Sequence, residues 1–263
     1  MIVLVLAYPV LALWLAACTA FPAAMLLALV SGPLGLFLYA RLHEHHHASG
    51  AAPRAQAIGI AYSSLLGMTW IGYRKHHANH HRFNNGAGDY SSTLDAAGRE
   101  VPGWLYVLKC ALVPFTLQLV PFLVVLGMKK ANRTPTAWLD EAARVGLRAL
   151  TLAVLGPVAL GALLAWQLVF FIFLFYLNYM QHFGVPSGQG VVWEQRWLNA
   201  PALNIGLHDQ HHAQPSLAWD ELPGLPPRTR RRTVVGLFDP ITFGAFLASP
   251  RALARRLSQQ ELA

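Results

Sequence analysis

The chain has 263 residues, 55% of them hydrophobic and only 12% charged, with a mean hydropathy of +0.39. That balance excludes an ordinary water-soluble core: the first charged side chain is Arg41, and the 40 residues ahead of it can cross a hydrocarbon layer of about 30 Å twice at about 20 residues per crossing. Histidine is the second anomaly, with 12 residues against 12 Asp and Glu together, in a chain of net charge +8. Cys18 and Cys110 lie in apolar stretches and form no Cys-x-x-Cys pair, which excludes a disulfide framework and a thiolate metal site. No nucleic-acid partner is expected.

Two apolar runs open the sequence, residues 2–17 and 23–40, separated by Thr19-Ala20-Phe21-Pro22, where proline suits a tight turn. They predict a transmembrane hairpin. Leu15-Ala16-Ala17-Cys18 has the form of a bacterial lipoprotein attachment site, but no basic segment precedes the apolar core, so a span is the preferred reading. A polar, histidine-bearing stretch follows, interrupted by the uncharged, mildly apolar residues 57–73. The third strong run is 104–128, with Lys109 placed to snorkel towards the headgroups. A charged loop with Lys129, Lys130, Arg133, Asp140, Glu141 and Arg144 comes next. The fourth run, 149–180, has 32 residues and would reach about 48 Å as one helix, so it should protrude from the bilayer and bend at Gly156-Pro157. The whole chain, residues 1–263, reads as a single all-α integral membrane domain with about four transmembrane helices and a histidine-bearing cap.

All 12 histidines fall in four places: His43-Glu44-His45-His46-His47, His76-His77-Ala78-Asn79-His80-His81, the single His182, and His208-Asp209-Gln210-His211-His212. A residue that were merely abundant would scatter. Metal ligation is the common reason to gather neutral imidazoles, and positions i, i+3 and i+4 share one helix face. His77, His80 and His81 can therefore converge, as can His208, His211 and His212, while His43 and His47 are one turn apart. This is more than a tetrahedral zinc accepts, so a two-metal centre is the natural reading. Imidazole-rich sites suit iron, copper, zinc or nickel alike.

Ligands of one centre must share a side of the membrane. With four spans all the boxes do so, provided residues 57–73 do not cross, and they are expected to lie at the interface. Of the 20 Lys and Arg, 14 lie on the histidine side, five in or beside the loop between the third and fourth spans, and Lys109 within a span. The positive-inside rule then places the metal site in the cytoplasm of a multi-pass protein, in the inner membrane if the cell is bacterial.

The order His-x-x-x-His, His-x-x-His-His, a lone histidine after a long span, then His-x-x-His-His resembles the membrane fatty acid desaturase and hydroxylase superfamily. The similarity runs from about His43 to Pro223. Phe175-Tyr176-Leu177-Asn178-Tyr179-Met180-Gln181-His182-Phe183-Gly184 is similar to the lone-histidine segment of acyl-lipid desaturases and also to that of membrane alkane monooxygenases. Asn204-Ile205-Gly206-Leu207-His208-Asp209-Gln210-His211-His212, followed by Pro215 and Leu222-Pro223, is similar to the third box of acyl-lipid desaturases. The resemblance implies nine ligands to a non-haem di-iron centre: His43, His47, His77, His80, His81, His182, His208, His211 and His212. Asn178, one helical turn before His182, is added as a ligand acting directly or through water. His46 is an alternative to His47, and His76 satisfies the wider spacing of the alkane monooxygenases. Glu44, Asp89 and Asp209 are candidates to orient imidazoles through their free N–H groups.

The resemblance further implies two iron ions, O2 as co-substrate and a membrane lipid or long-chain hydrocarbon as substrate. No appended electron-transfer domain is visible, so a separate ferredoxin- or rubredoxin-type donor is implied. Desaturation of an acyl chain, as acyl-lipid or acyl thioester, is the first reading; hydroxylation or ketolation of an alkane, fatty acid or carotenoid is the second. His43-Glu44-His45-His46-His47 also matches the His-Glu-x-x-His pattern of zinc peptidases, a reading that leaves His77, His80, His81, His182 and the third box unexplained. A metal transporter would carry polar ligands within its spans, which these almost lack. Arg228-Thr229-Arg230-Arg231-Arg232 reads as a solvated basic run or a docking site for an acidic donor or anionic headgroups. Trp193 and Trp197 are candidates for a substrate entrance or for interfacial anchors.

Overall fold

The computed structural model describes residues 21–48, 52–229 and 235–261. The first predicted span, Cys18 and Arg230 to Arg232 lie outside the described residues. Among those described there is helix and turn but no β-strand; the extended pairings are two isolated bridges, Leu94 with Glu100 and Val192 with Leu207. The described residues form two compact units, one drawn from Met1–Lys75 and Leu112–Phe173, the other from His76–Ala111 and Leu174–Ala263.

In the first unit, α1 (Phe21–Ser31) runs through a short 3-10 segment, Gly32–Leu34, into α2 (Gly35–Ala48). Together they give one of the two stretches, among the described residues, long and apolar enough to cross a membrane, Pro22–Ala48; the other is Pro135–His182. Leu26, Val30, Leu150 and Val154 on these stretches remain 62, 71, 61 and 69% exposed. Apolar surface of this kind suits hydrocarbon rather than water, and the protein is a membrane protein.

Residues 57–73, expected at the interface, span parts of two helices. α3 (Pro53–Leu66) and α4 (Trp70–Phe83) are separate helices, joined by a turn at Gly67 with φ +85°, a conformation open to glycine. Trp70 Nε1 donates to Gln56 Oε1 at 2.9 Å across 14 residues. The chain therefore doubles back on itself.

The third run is also broken. α5 (Gly103–Val107), a π-turn Leu108–Leu112 and α6 (Val113–Leu119) make 103–119 helical, but the chain then departs from helix at Val120, Pro121 and Phe122 before α7 (Leu123–Gly127). Phe122 has φ +61°. Proline at 121 cannot donate a backbone bond, so the break leaves backbone groups that need partners from elsewhere in the protein.

The residues expected in a charged loop satisfy them. α8 (Pro135–His182) starts well before residue 149, which puts Asp140, Glu141 and Arg144 inside a helix, all 0% exposed. Glu141 accepts from the Phe122 N–H at 2.8 Å. Arg144 and Arg148 both donate to the Gln118 carbonyl, and Arg144 also pairs with Glu141. Asp140 accepts from the N–H groups of Trp70 and Ile71 at 2.9 and 2.8 Å, so a carboxylate distant in sequence supplies the N-terminal acceptor that α4 lacks locally.

The expected bend at Gly156-Pro157 is present and sharper than a bend. Gly156 has φ +86° and ψ 178° inside α8. Arg148 Nη2 nevertheless donates to Gln167 Oε1 at 3.1 Å across 19 residues, a separation of about 28 Å in a straight helix. α8 is thus a helical hairpin, whose second arm ends in His182.

Replacing Arg144 by Met should leave Glu141 buried without its partner and cost about 3–5 kcal/mol. Denaturant unfolding in detergent measures it, and adding Glu141→Gln should restore part of the loss. A single variant as stable as the unaltered protein would contradict this account of the buried charges.

Candidate metal centre

The second unit gathers histidines from three elements: α4, the end of α8, and α10 (His208–Ala213), which follows the short α9 (Arg196–Asn199). His80 and His81 lie in the last turn of α4. That helix ends where Asn84 and Asn85 take positive φ, 40° and 61°. The loop beyond is fastened by Asn85, whose side chain accepts from the Thr93 N–H at 2.7 Å and donates to Thr93 Oγ1 at 3.0 Å. It carries Asp89 to His80.

Four imidazole nitrogens close a ring. The Nε2 atoms of His80 and His182 are 3.2 Å apart, those of His182 and His208 2.9 Å, His208 and His212 3.0 Å, and His212 and His80 3.1 Å. A second group in the same unit joins His77 to His81 at 2.9 Å and His81 to His211 at 3.0 Å.

The proton count decides what this ring can hold. His80 Nδ1 faces Asp89 Oδ2 at 2.8 Å and His182 Nδ1 faces the Gln189 carbonyl at 3.1 Å. Both partners are acceptors, so both Nδ1 atoms carry protons, and in neutral rings both Nε2 atoms then present bare lone pairs. Two lone pairs facing each other at 3.2 Å make no hydrogen bond. A cation between them removes the conflict, and the donor set therefore fits a metal ion. Nitrogens about 2.1 Å from a common centre lie about 3.0 Å apart when their bonds meet at right angles and about 3.4 Å apart in a tetrahedron. The ring has the right-angled spacing.

Electrostatics keeps the ligands in the form a metal needs. Burial, reinforced by the neighbouring imidazoles, pushes His208 and His212 well below the ordinary histidine range, so both are neutral near pH 7. Asp89 is pulled the other way from what burial alone would do: burial raises it, but the His80 ring and the N–H groups of Ser91 and Asn85 outweigh this and hold it well below the carboxylate range. The Ser91 and Asn85 N–H groups each donate to it at 2.8 Å, and Ser91 Oγ donates at 3.0 Å.

The remaining expected residues are placed as follows. His43 and His47 stand one turn apart on α2 in the first unit, ring centroids 4.9 Å apart. His46 packs edge-on to Trp70 and Tyr73. His76 packs against Phe175 and Tyr90, and burial lowers it to about 4. Asn178 donates through Nδ2 to Tyr106 Oη at 2.6 Å and to the Ser91 carbonyl at 3.4 Å. Of the acidic candidates Asp89 reaches an imidazole, whereas Asp209 pairs with Arg228. Trp193 is buried and Trp197 exposed beside Phe238. Sequence reasoning missed the Gln189 carbonyl, a backbone group with no residue signature, and Tyr106, whose hydroxyl bonds to the Ser91 carbonyl at 2.9 Å.

The proton-locking role of Asp89 is expected to show in metal affinity. Asp89→Asn should weaken binding about 10- to 100-fold, measured by competition with a chelator; unchanged affinity would contradict the role. The pH response of the metal-free protein follows from His208 and His212. Their folded-state values lie below the unfolded value of about 6.5, so below that pH the unfolded chain takes up protons that the folded one does not. Stability should fall as pH drops from about 6.5 to 5, by up to about 1.4 kcal/mol per pH unit for each histidine. Denaturant midpoints measure this; a flat profile would contradict it.

A family model described as fatty acid desaturase matches residues 2–234. No curated protein matches the chain.

Proposed function

The chain belongs to the fatty acid desaturase family, and from that premise we propose that it is an O2-dependent di-iron oxidoreductase that introduces a C=C bond into a long acyl chain. The acyl chain is carried as acyl-lipid or acyl thioester. The observation that carries the reading is the ring of four Nε2 atoms from His80, His182, His208 and His212, with its right-angled spacing, beside the group of His77, His81 and His211. Zinc of the tetrahedral kind fits that spacing less well, and iron accepts imidazole readily. His43 and His47 are assigned to complete the second group, on the order of the boxes in the sequence. Asn178 is assigned to the His182 side of the centre on its one-turn spacing.

When bound, the iron pair supplies the reduction of O2 and the oxidation of an unactivated C–H bond. The protein residues prepare that chemistry. Asp89 and the Gln189 carbonyl hold the Nδ1 protons of His80 and His182 and so aim both Nε2 lone pairs inward. The buried state of His80, His182, His208 and His211 keeps water from these ligands. Tyr106 and the Ser91 carbonyl hold the Asn178 amide nitrogen.

Support for sidedness comes from charge: 14 of the 20 Lys and Arg lie on the histidine side, which the positive-inside rule assigns to the cytoplasm. The proposed architecture is a single multi-pass domain with about four crossings. Electrons are assigned to a separate ferredoxin- or rubredoxin-type donor.

Expression with a matched donor, followed by lipid and hydrocarbon analysis, tests the reading. A new double bond in a membrane acyl chain is the expected product, and His208→Ala should reduce it to background. An alcohol or ketone instead would assign the chain to hydroxylation or ketolation, the second reading that the segment from Phe175 to Gly184 resembles. No oxidised lipid or hydrocarbon under these conditions would contradict both.

A further inference from the structure

Resting on the reading that the four-histidine ring holds a metal, we propose that Arg228 is a positioning residue for that ring. Its guanidinium ties together the two chain segments that carry or brace three of the four ligands. Arg228 Nη2 donates to Asp209 Oδ1 at 2.8 Å, to the Asp209 carbonyl at 3.1 Å and to the Gly188 carbonyl at 3.3 Å. The Arg228 main-chain N–H adds a bond to Asp209 Oδ2 at 2.6 Å.

One of these partners is adjacent to a ligand and the other to a residue that braces one. Asp209 follows His208 on α10, one turn before His212. Gly188 precedes Gln189, whose carbonyl accepts from His182 Nδ1. Gly190, on the far side of Gln189, donates its N–H to Asp209 Oδ1 at 3.2 Å, and its carbonyl accepts from Thr229 Oγ1. Residues 228–229 are therefore a strap drawn across two segments, the loop that fixes the His182 proton and the helix that presents His208 and His212.

The chemistry asks for arginine. Asp209 is 0% exposed and Arg228 41% exposed. A buried carboxylate without a cation is costly, and removing the guanidinium leaves Asp209 with the N–H groups of Gly190 and residue 228. It also leaves an anion one residue from a metal ligand with no positive charge to balance it. A planar fork reaches a carboxylate and two carbonyls at once; an ammonium is a point charge. Were the pair an ordinary surface ion pair, its loss would change little and the metal ligands would not register it.

The test is a Co2+ titration of the full-length, metal-stripped protein, followed by the visible absorption of imidazole-bound cobalt. The unaltered protein is expected to take two equivalents. In Arg228→Gln one of the two binding phases should weaken about 10- to 100-fold with a changed absorption band, the other phase staying as it was. Arg228→Lys should recover only part of the affinity, and Asp209→Asn should add little to the loss in Arg228→Gln because both act through one contact. Unchanged affinity and spectrum in Arg228→Gln would overturn the proposal, as would equal weakening of both phases. Failure of both Arg228→Gln and Arg228→Lys to fold would also overturn it, since the strap would then support the fold rather than the ring. An unaltered protein that binds no Co2+ would instead overturn the metal-site reading on which the proposal rests.

Discussion

Two imidazoles whose Nδ1 protons are already committed, one to a carboxylate and one to a backbone carbonyl, face each other through bare Nε2 lone pairs at 3.2 Å. In a buried site this repulsion has no solvent to relieve it, and a positive ion between them turns it into attraction. Much of the second unit serves to enforce that arrangement. The left-handed Asn84 and Asn85 end α4 and start the loop that returns Asp89 to His80. The loop after α8 brings Gln189 back to His182, and Arg228 binds the Asp209 carboxylate that lies within the third box. His208 and His212 are neutral because they are buried, and His80 and His182 are fixed because their outer nitrogens are spoken for.

The first unit answers a different constraint, that backbone groups in a hydrocarbon layer must find partners within the protein. Charges inside its apolar helices are the consequence. Glu141, Arg144 and Arg148 close the break at residues 118–122, and Asp140 supplies acceptors to the first N–H groups of α4. Buried ionisable residues usually invite a catalytic reading; here the hydrogen bonds account for them as supports of broken helices.

Much of the site was legible in the sequence because ligation demands particular residue types at helical spacing. His77 with His81, and His208 with His212, are one turn apart, and one turn is a distance a sequence displays. The bend at Gly156-Pro157 was legible for a similar reason, since glycine followed by proline leaves few alternatives to a break. What escaped were features set by tertiary contact. Asp140, Glu141 and Arg144 read as loop because charge is ordinarily solvated, and only the break at Pro121 and Phe122 explains their burial. Residues 57–73 read as one segment because the turn at Gly67 rests on a single glycine. Gln189 acts through its carbonyl, which every residue possesses. Asp209 was a reasonable partner for an imidazole until Arg228, 19 residues on, claimed it.

Composition first singled out histidine, 12 of them against 12 acidic residues, and the structure gives that excess a use, in which neutral nitrogens are gathered where protonated ones would repel. The most direct measurement is the metal content of the purified protein together with its iron Mössbauer spectrum. Two irons per chain, with the parameters of a nitrogen-rich, magnetically coupled pair, are the expected result. One zinc and no iron, or a single isolated iron, would contradict the di-iron account.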